Sequence, residues 1–235
     1  RLVTSTVTML QRKRQKRGKK RGISKISGSR VAFRARGMQV RLAPPLSPLK
    51  EIKNRDLSAS AVDVTATSVG VHSAQLCILT QGTNNNQRIG RRVNLTSFQM
   101  KMFMFSQTGT GPYIIRILVV QQTDVSGSAI TLNTVLQNTG NDNQAIVSPY
   151  NLDRTNDYNV LFDKVYTGSE AQSNDIIADK MFIRFPGEGI SQLYSAAGGS
   201  LTTLQQNNLN LFAISTSPAL TAPQLAYFAR TRYYG

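Results

Sequence analysis

The run SFQMKMFMF, residues 97–105, sets Met100, Met102 and Met104 in strict alternation with Lys101, Phe103 and Phe105. An extended strand turns successive side chains to opposite faces, whereas a helix would scatter them around its axis. The methionines therefore form one apolar stripe of a β-strand, most simply a face turned into a core. Phe103 and Phe105, on the other face, need burial too, which predicts a strand covered on both sides or one at an interface.

Outward from this strand the same period continues. YIIRILVV (113–120), NVLFDKVYT (159–167), DKMFIRFP (179–186), NLNLFAIST (208–216) and QLAYFARTRYY (224–234) are β-branched and aromatic runs bounded by Gly, Asn and Thr-rich turns. SASAVDVTATSVGVHSAQLCIL (58–79) adds Val- and Thr-rich strand material. Three intervening stretches, QGTNNNQRIG (81–90), NTGNDNQAIVSPYNLDRTND (138–157) and GEGISQLYSAAGGS (187–200), are too polar for a core and read as loops. One short helix is predicted at Thr131–Gln137, with Thr131 as its cap and Leu132, Val135 and Leu136 on one face. Tight Asn-Gly or Asp-Gly hairpins are absent. Long connections between about eight strands favour Greek-key crossings, so the expected class is all-β, an eight-stranded antiparallel jelly roll (a β-sandwich).

Charge divides the chain unevenly. Of the 28 Lys and Arg, 15 lie in residues 1–50 with no Asp or Glu, leaving 13 against all 12 acids in the remainder. The densest part, QRKRQKRGKKRG (11–22), holds eight cations between Arg12 and Arg21. Such a block repels itself and cannot offset its own ordering entropy, so alone in water it should be disordered. A polyanion condenses it through counterion release. The expected organisation is a basic nucleic-acid-binding arm at 1–43, a stiff linker at 44–55 carrying Pro44, Pro45 and Pro48, and a folded body at 56–235. The arm residues expected to meet phosphate are Arg12, Lys13, Arg14, Lys16, Arg17, Lys19, Lys20, Arg21, Lys25, Arg30, Arg34, Arg36 and Arg41. KRQKRGKKR would also serve as a nuclear-import signal. Membrane binding is not expected, because Gly, Ser and Gln flank the charges where an apolar face would be needed.

Within the body, Arg88, Arg91, Arg92, Lys101, Arg116, Lys164, Lys180, Arg184, Arg230 and Arg232 sit on or beside strands. Most read as solvent-facing or as partners of the acids, and some as an inner wall beside nucleic acid. Tyr227, Phe228, Tyr233 and Tyr234 are candidates to stack on bases, with core or subunit contact as the alternative. Catalytic chemistry finds little footing. The chain has one His (His72) and one Cys (Cys77), too few for a metal centre of that type, and no nucleophile-elbow, Walker or dinucleotide motif. Asp153, Asp157 and Asp163 are the one loop set that can reach toward a Ca²⁺. No enzyme activity, cofactor or metal is expected.

GTNNNQRIGRRVNLTSFQMKMFM (82–104), with its Arg88-Ile89-Gly90-Arg91 turn into an alternating strand, resembles a segment of single-jelly-roll capsid proteins. Arg116 in YIIRILVVQQ, VLFDKVYT (160–167), KMFIRFP (180–186) and YFARTRYYG (227–235) follow in the same order. The resemblance covers about 60–235. It is to circovirus-like capsids of small circular single-stranded DNA viruses encoding a replication initiator (the CRESS-DNA group), and more distantly to satellite plant RNA virus coats. The arm departs from the circovirus habit, being mixed Lys and Arg where theirs is nearly all Arg. A stretch of about 35 residues also separates the cluster from the first strand. The resemblance implies a homo-oligomer in a small icosahedral (T=1) virion and a host-nucleus stage. Its single-stranded DNA or RNA genome would lie against about 60 inward arms carrying about 900 charges. A cellular nucleic-acid-binding β-barrel protein, ribosomal or nuclear, is the alternative; it would cluster basic residues on the folded face, and the near-neutral body argues against it.

Overall fold

The computed structural model describes residues 51–66, 71–106, 111–169, 176–217 and 222–235. Every arm cation from Arg12 to Arg41, and the expected linker as far as residue 50, lies outside them.

Among the described residues the strands are β1 (Lys53–Asp63), β2 (His72–Gln75), β3 (Arg92–Phe105), β4 (Tyr113–Asp124), β5 (Tyr158–Gly168), β6 (Ile176–Arg184), β7 (Ile190–Leu193), β8 (Gln206–Ser215) and β9 (Gln224–Tyr234). They form two sheets. Sheet A runs β1-β9-β3-β6, with β7 also on β3, and sheet B runs β2-β8-β4-β5. All pairings are antiparallel. The pairs are nested in sequence, β1 with β9, β2 with β8, β3 with β6 and β4 with β5. Nested pairs shared between two packed sheets make a jelly roll, the expected eight strands plus β7.

Each strand's composition matches how it is covered. β3 alternates, and its inward Phe98, Met100, Met102 and Met104 are buried against Ile115, Ile117 and Val119 of β4 and Leu209, Leu211 and Ala213 of β8. β4 is a continuous apolar run because both its faces are buried. Its outward Leu118 and Val120 join Phe212 and Ile214 of β8 in a second core, roofed by Ile130 and by two short helices, α1 (Leu132–Val135) and α2 (Asp142–Val147). Each such fully buried side chain contributes roughly 1.5–3 kcal/mol. Sheet B is thus covered on both sides by the chain itself.

The structure departs from expectation in several places. β1 begins at Lys53, ahead of the boundary expected at 56, and the buried Lys53 sends its Nζ to the Asn84 carbonyl at 3.4 Å. β7 lies in the stretch 187–200 read as loop. Its polar Gln192 is fully buried, donating to the Asn207 carbonyl (2.8 Å) and to Cys77 Sγ (2.9 Å). Gly189 turns the chain into β7 at φ 84°, where a Cβ would sit 2.1 Å from the Leu95 carbonyl oxygen. α2 falls in the other stretch read as loop, anchored by buried Ala145 and Ile146. The helix expected at 131–137 shrinks to α1, and Thr131 meets the Thr134 hydroxyl (3.1 Å) instead of capping the backbone.

Candidate nucleic-acid interface

The sequence-level set of body cations separates into distinct structural kinds. Arg88 is fully buried and forms no ion pair with a carboxylate among the described residues. Its Nε donates to the Leu79 carbonyl at 3.1 Å, its two terminal nitrogens donate to the carbonyls of Gly90 and Ala196, and its plane lies 4.1 Å from the Tyr194 ring centre. Burial pushes its pKa down from the ordinary value. This guanidinium ties three chain segments together and faces no solvent. Arg116 is also internal. It forks onto Asp163 (Nε to Oδ1 2.9 Å, Nη2 to Oδ2 2.7 Å), and its Nη1 donates to the carbonyls of Ala145, Ile146 and Ser148 at the end of α2. Lys164 pairs with Asp179 at 2.7 Å, linking β5 of sheet B to β6 of sheet A. Arg91 and Arg92 are exposed beside the start of β3, where Arg92 Nε donates to Ser191 Oγ at 2.8 Å.

The remaining five gather on one surface, the outer face of sheet A. Strand register sets Arg184 and Arg232 on either side of Ser97, Phe182 and Arg230 on either side of Gln99, and Lys180 and Phe228 on either side of Lys101. In the next row Phe103 stands between Ala178 and Ala226. Those small neighbours leave an open groove of about 800 Å³ bounded by Lys101, Phe103, Lys180 and Phe228. Phe103 (46%), Phe182 (63%) and Phe228 (42%) are the exposed phenylalanines of the described residues. Phe105 stacks on Phe103, ring centres 5.9 Å apart. Two acids share the face. Asp56 is forked by Arg230, and Asp63, at the far end of β1, accepts from Gln224 at 3.0 Å. The side chains of Lys101, Lys180, Arg184 and Arg232 make no ion pair or hydrogen bond among the described residues. Like charges directly opposite across a ladder repel, so the Lys101–Lys180 pair is an arrangement that an anion relieves.

Several readings are corrected here. A near-neutral body does not mean an evenly neutral surface: five cations share this face with Asp56 and Asp63, whereas Asp163 and Asp179 are engaged by Arg116 and Lys164 elsewhere. Of the two alternatives for Phe103 and Phe105, a cover on both sides is not met among the described residues, where Phe103 is exposed and Phe105 half-buried, and the interface alternative is left. Of the four C-terminal aromatics Phe228 is exposed, and Tyr234 lies half-buried on the same face of β9. Tyr227 and Tyr233 are buried inward, and Tyr234 donates to the Glu188 carbonyl at 2.6 Å. Phe182, which carries no motif, is the most exposed of the rings. Asp163 is not a calcium ligand, since Arg116 and the Tyr150 hydroxyl (2.6 Å) occupy its carboxylate and Asp157 lies 3.5 Å from Arg154. No group of three metal-ligating side chains occurs among the described residues. The half-buried His72 has an Nε2 without a hydrogen-bond partner among the described residues, and desolvation lowers its pKa.

No family model and no curated protein matches the chain. Among solved structures it is similar to a chain of Desmodium yellow mottle tymovirus (11% identity, TM-score 0.33, covering 83% of this chain and 93% of that one). It is similar also to a semi-empty virus-like particle of the giant freshwater prawn Macrobrachium rosenbergii nodavirus (10% identity, TM-score 0.40, 88% and 92%). A third likeness is to the 60-mer BFDV capsid protein (11% identity, TM-score 0.30, 79% and 94%). At these scores the jelly-roll assignment rests on the strand order itself.

Proposed function

We propose that the chain is the subunit of a small icosahedral viral capsid. The jelly-roll body forms the shell by self-association. The arm at 1–43, joined through a linker that ends where β1 begins at Lys53, neutralises a packaged single-stranded genome without reading its sequence. The sequence resemblance supports circular single-stranded DNA, the virion location and the host-nucleus stage, and the basic run KRQKRGKKR supports a nuclear-import role. The observation that carries the reading is the charge partition: an acid-free segment of 15 cations precedes a jelly roll of nearly balanced charge.

A second reading has a specific observation in its favour. The basic face of sheet A is what a cellular nucleic-acid-binding β-barrel protein would show. Sedimentation at low and high salt, with absorbance at 260 and 280 nm, separates the two, using the full chain and a variant with the eight cations of 12–21 replaced by Gln. Uniform large particles carrying nucleic acid, and empty or unassembled material from the variant, support the capsid. A monomer that binds nucleic acid and never assembles overturns it in favour of the cellular module.

A further inference from the structure

We propose that the outer face of sheet A is a stacking platform for unpaired bases of single-stranded nucleic acid, a second site separate from the arm. The inference deepens the packaging reading and rests on it for the nature of the ligand.

Sheet B shows what this chain does with apolar residues on an outer face: Leu118, Val120, Phe212 and Ile214 are roofed by α1, α2 and Ile130. Phe103, Phe182 and Phe228 on sheet A have no such roof among the described residues. Rings left exposed between cations suit a ligand that is itself flat, apolar on its faces and anionic along its edge. A second copy of the same face does not fit, because a two-fold contact would set the four cations that Asp56 does not neutralise against four. The acid-free segment 1–50 brings no counter-charge either.

Spacing favours the unpaired form. Successive outward rows of a strand are about 6.8 Å apart and neighbouring strands about 4.8 Å. The three rings stand in three different rows on three different strands, Phe182 on β6, Phe103 on β3 and Phe228 on β9. Bases in a duplex rise about 3.4 Å each and keep their faces inside the stack, so they offer nothing for these rings to lie on. A single strand with splayed bases does. Lys101, Lys180, Arg184 and Arg232 then stand beside the rings to take phosphates. The Arg230–Asp56 fork holds the Arg230 guanidinium 5.6 Å from the Phe228 ring centre.

The test uses the full chain with oligo(dT) and with a duplex of equal length, at 0.1 and about 0.5 M salt, where arm–phosphate contacts are heavily weakened. It is joined to ultraviolet crosslinking with peptide mapping. Adducts are expected on peptides containing Phe103, Phe182 or Phe228. Phe103→Ala, Phe182→Ala and Phe228→Ala should each lower single-strand affinity at high salt by about tenfold and leave duplex affinity unchanged. The corresponding Trp variants should retain binding, and unchanged melting curves confirm that these exposed rings do not hold the fold. Crosslinks confined to residues 1–50, or Ala variants that impair particle formation but not single-strand binding, overturn the proposal; the latter outcome makes the face a subunit contact. Adducts on the face of a protein that never assembles would sink packaging and leave this site standing. Loaded particles without such adducts would do the reverse.

Discussion

Arg230 on β9 and Asp56 on β1 face each other across the ladder and meet in two parallel hydrogen bonds, both 2.7 Å. The fork neutralises one of the five cations on the outer face of sheet A, and the same bonds hold the Asp56 carboxyl below its ordinary pKa. Asp56→Asn should free Arg230 for phosphate. Single-strand affinity then rises at low salt, and the log–log salt dependence steepens by about 0.7. Fluorescence titrations at four salt concentrations check this, and an unchanged slope would mean that Arg230 does not reach the ligand.

Arg116→Met leaves the Asp163 carboxylate facing only Tyr150 and removes three bonds to the end of α2. Breaking one side of a buried pair costs about 3–5 kcal/mol. Urea unfolding should show a loss in that range, and the second core, which α2 roofs, should lose amide-exchange protection first. A loss under 1 kcal/mol would show that water replaces the guanidinium.

Acid should weaken the closure between the sheets. Bonds from Lys164 and Tyr166 pull the Asp179 carboxyl down to about 2, well below the ordinary carboxylate range. A depressed folded-state pKa gives stability that is complete above about pH 4 and lost as pH falls toward about 2. The urea midpoint should drop over that window, and less steeply in Asp179→Asn. Asp163 adds to the slope in the same direction. Burial alone would raise its pKa, and bonds from Arg116 and Tyr150 reverse that.

The single thiol should be silent in the native protein. Cys77 is fully buried, and desolvation pushes its pKa up to about 12 despite bonds from the Leu209 amide and Gln192. A disulfide reagent at pH 8 should release colour only after urea is added. Prompt reaction would show that β2 and β8 separate readily.

The fold was legible where burial is one-sided or complete. The Met100–Met102–Met104 alternation marks which face of β3 turns into the core, and YIIRILVV reads as a strand, although the burial of both its faces shows only in the structure. β7 was not legible, because Gln192 satisfies its amide inside the core and a buried amide reads as loop. α2 spans only Asp142–Val147, too short for a helical period to show. Arg88 gave no sign of burial, since a guanidinium held by carbonyls needs no acid at any fixed spacing. The basic face was missed for a different reason. Each of its cations was visible on its own strand, but which strands lie side by side is a property of topology. Lys101, Lys180 and Phe228 are neighbours only because β6 and β9 flank β3.

The placement of β9 also constrains how the protein is made. It lies between β1 and β3 in sheet A, so the sheet has a gap at its centre until residue 234 has left the ribosome. β1 must wait through synthesis of more than half the chain for its ladder partner β9, and pairings this distant in sequence close slowly. Newly made chains therefore spend that interval with unpaired strand edges, open to pairing with one another. Crowded synthesis, with many copies emerging together, is where folding yield is decided.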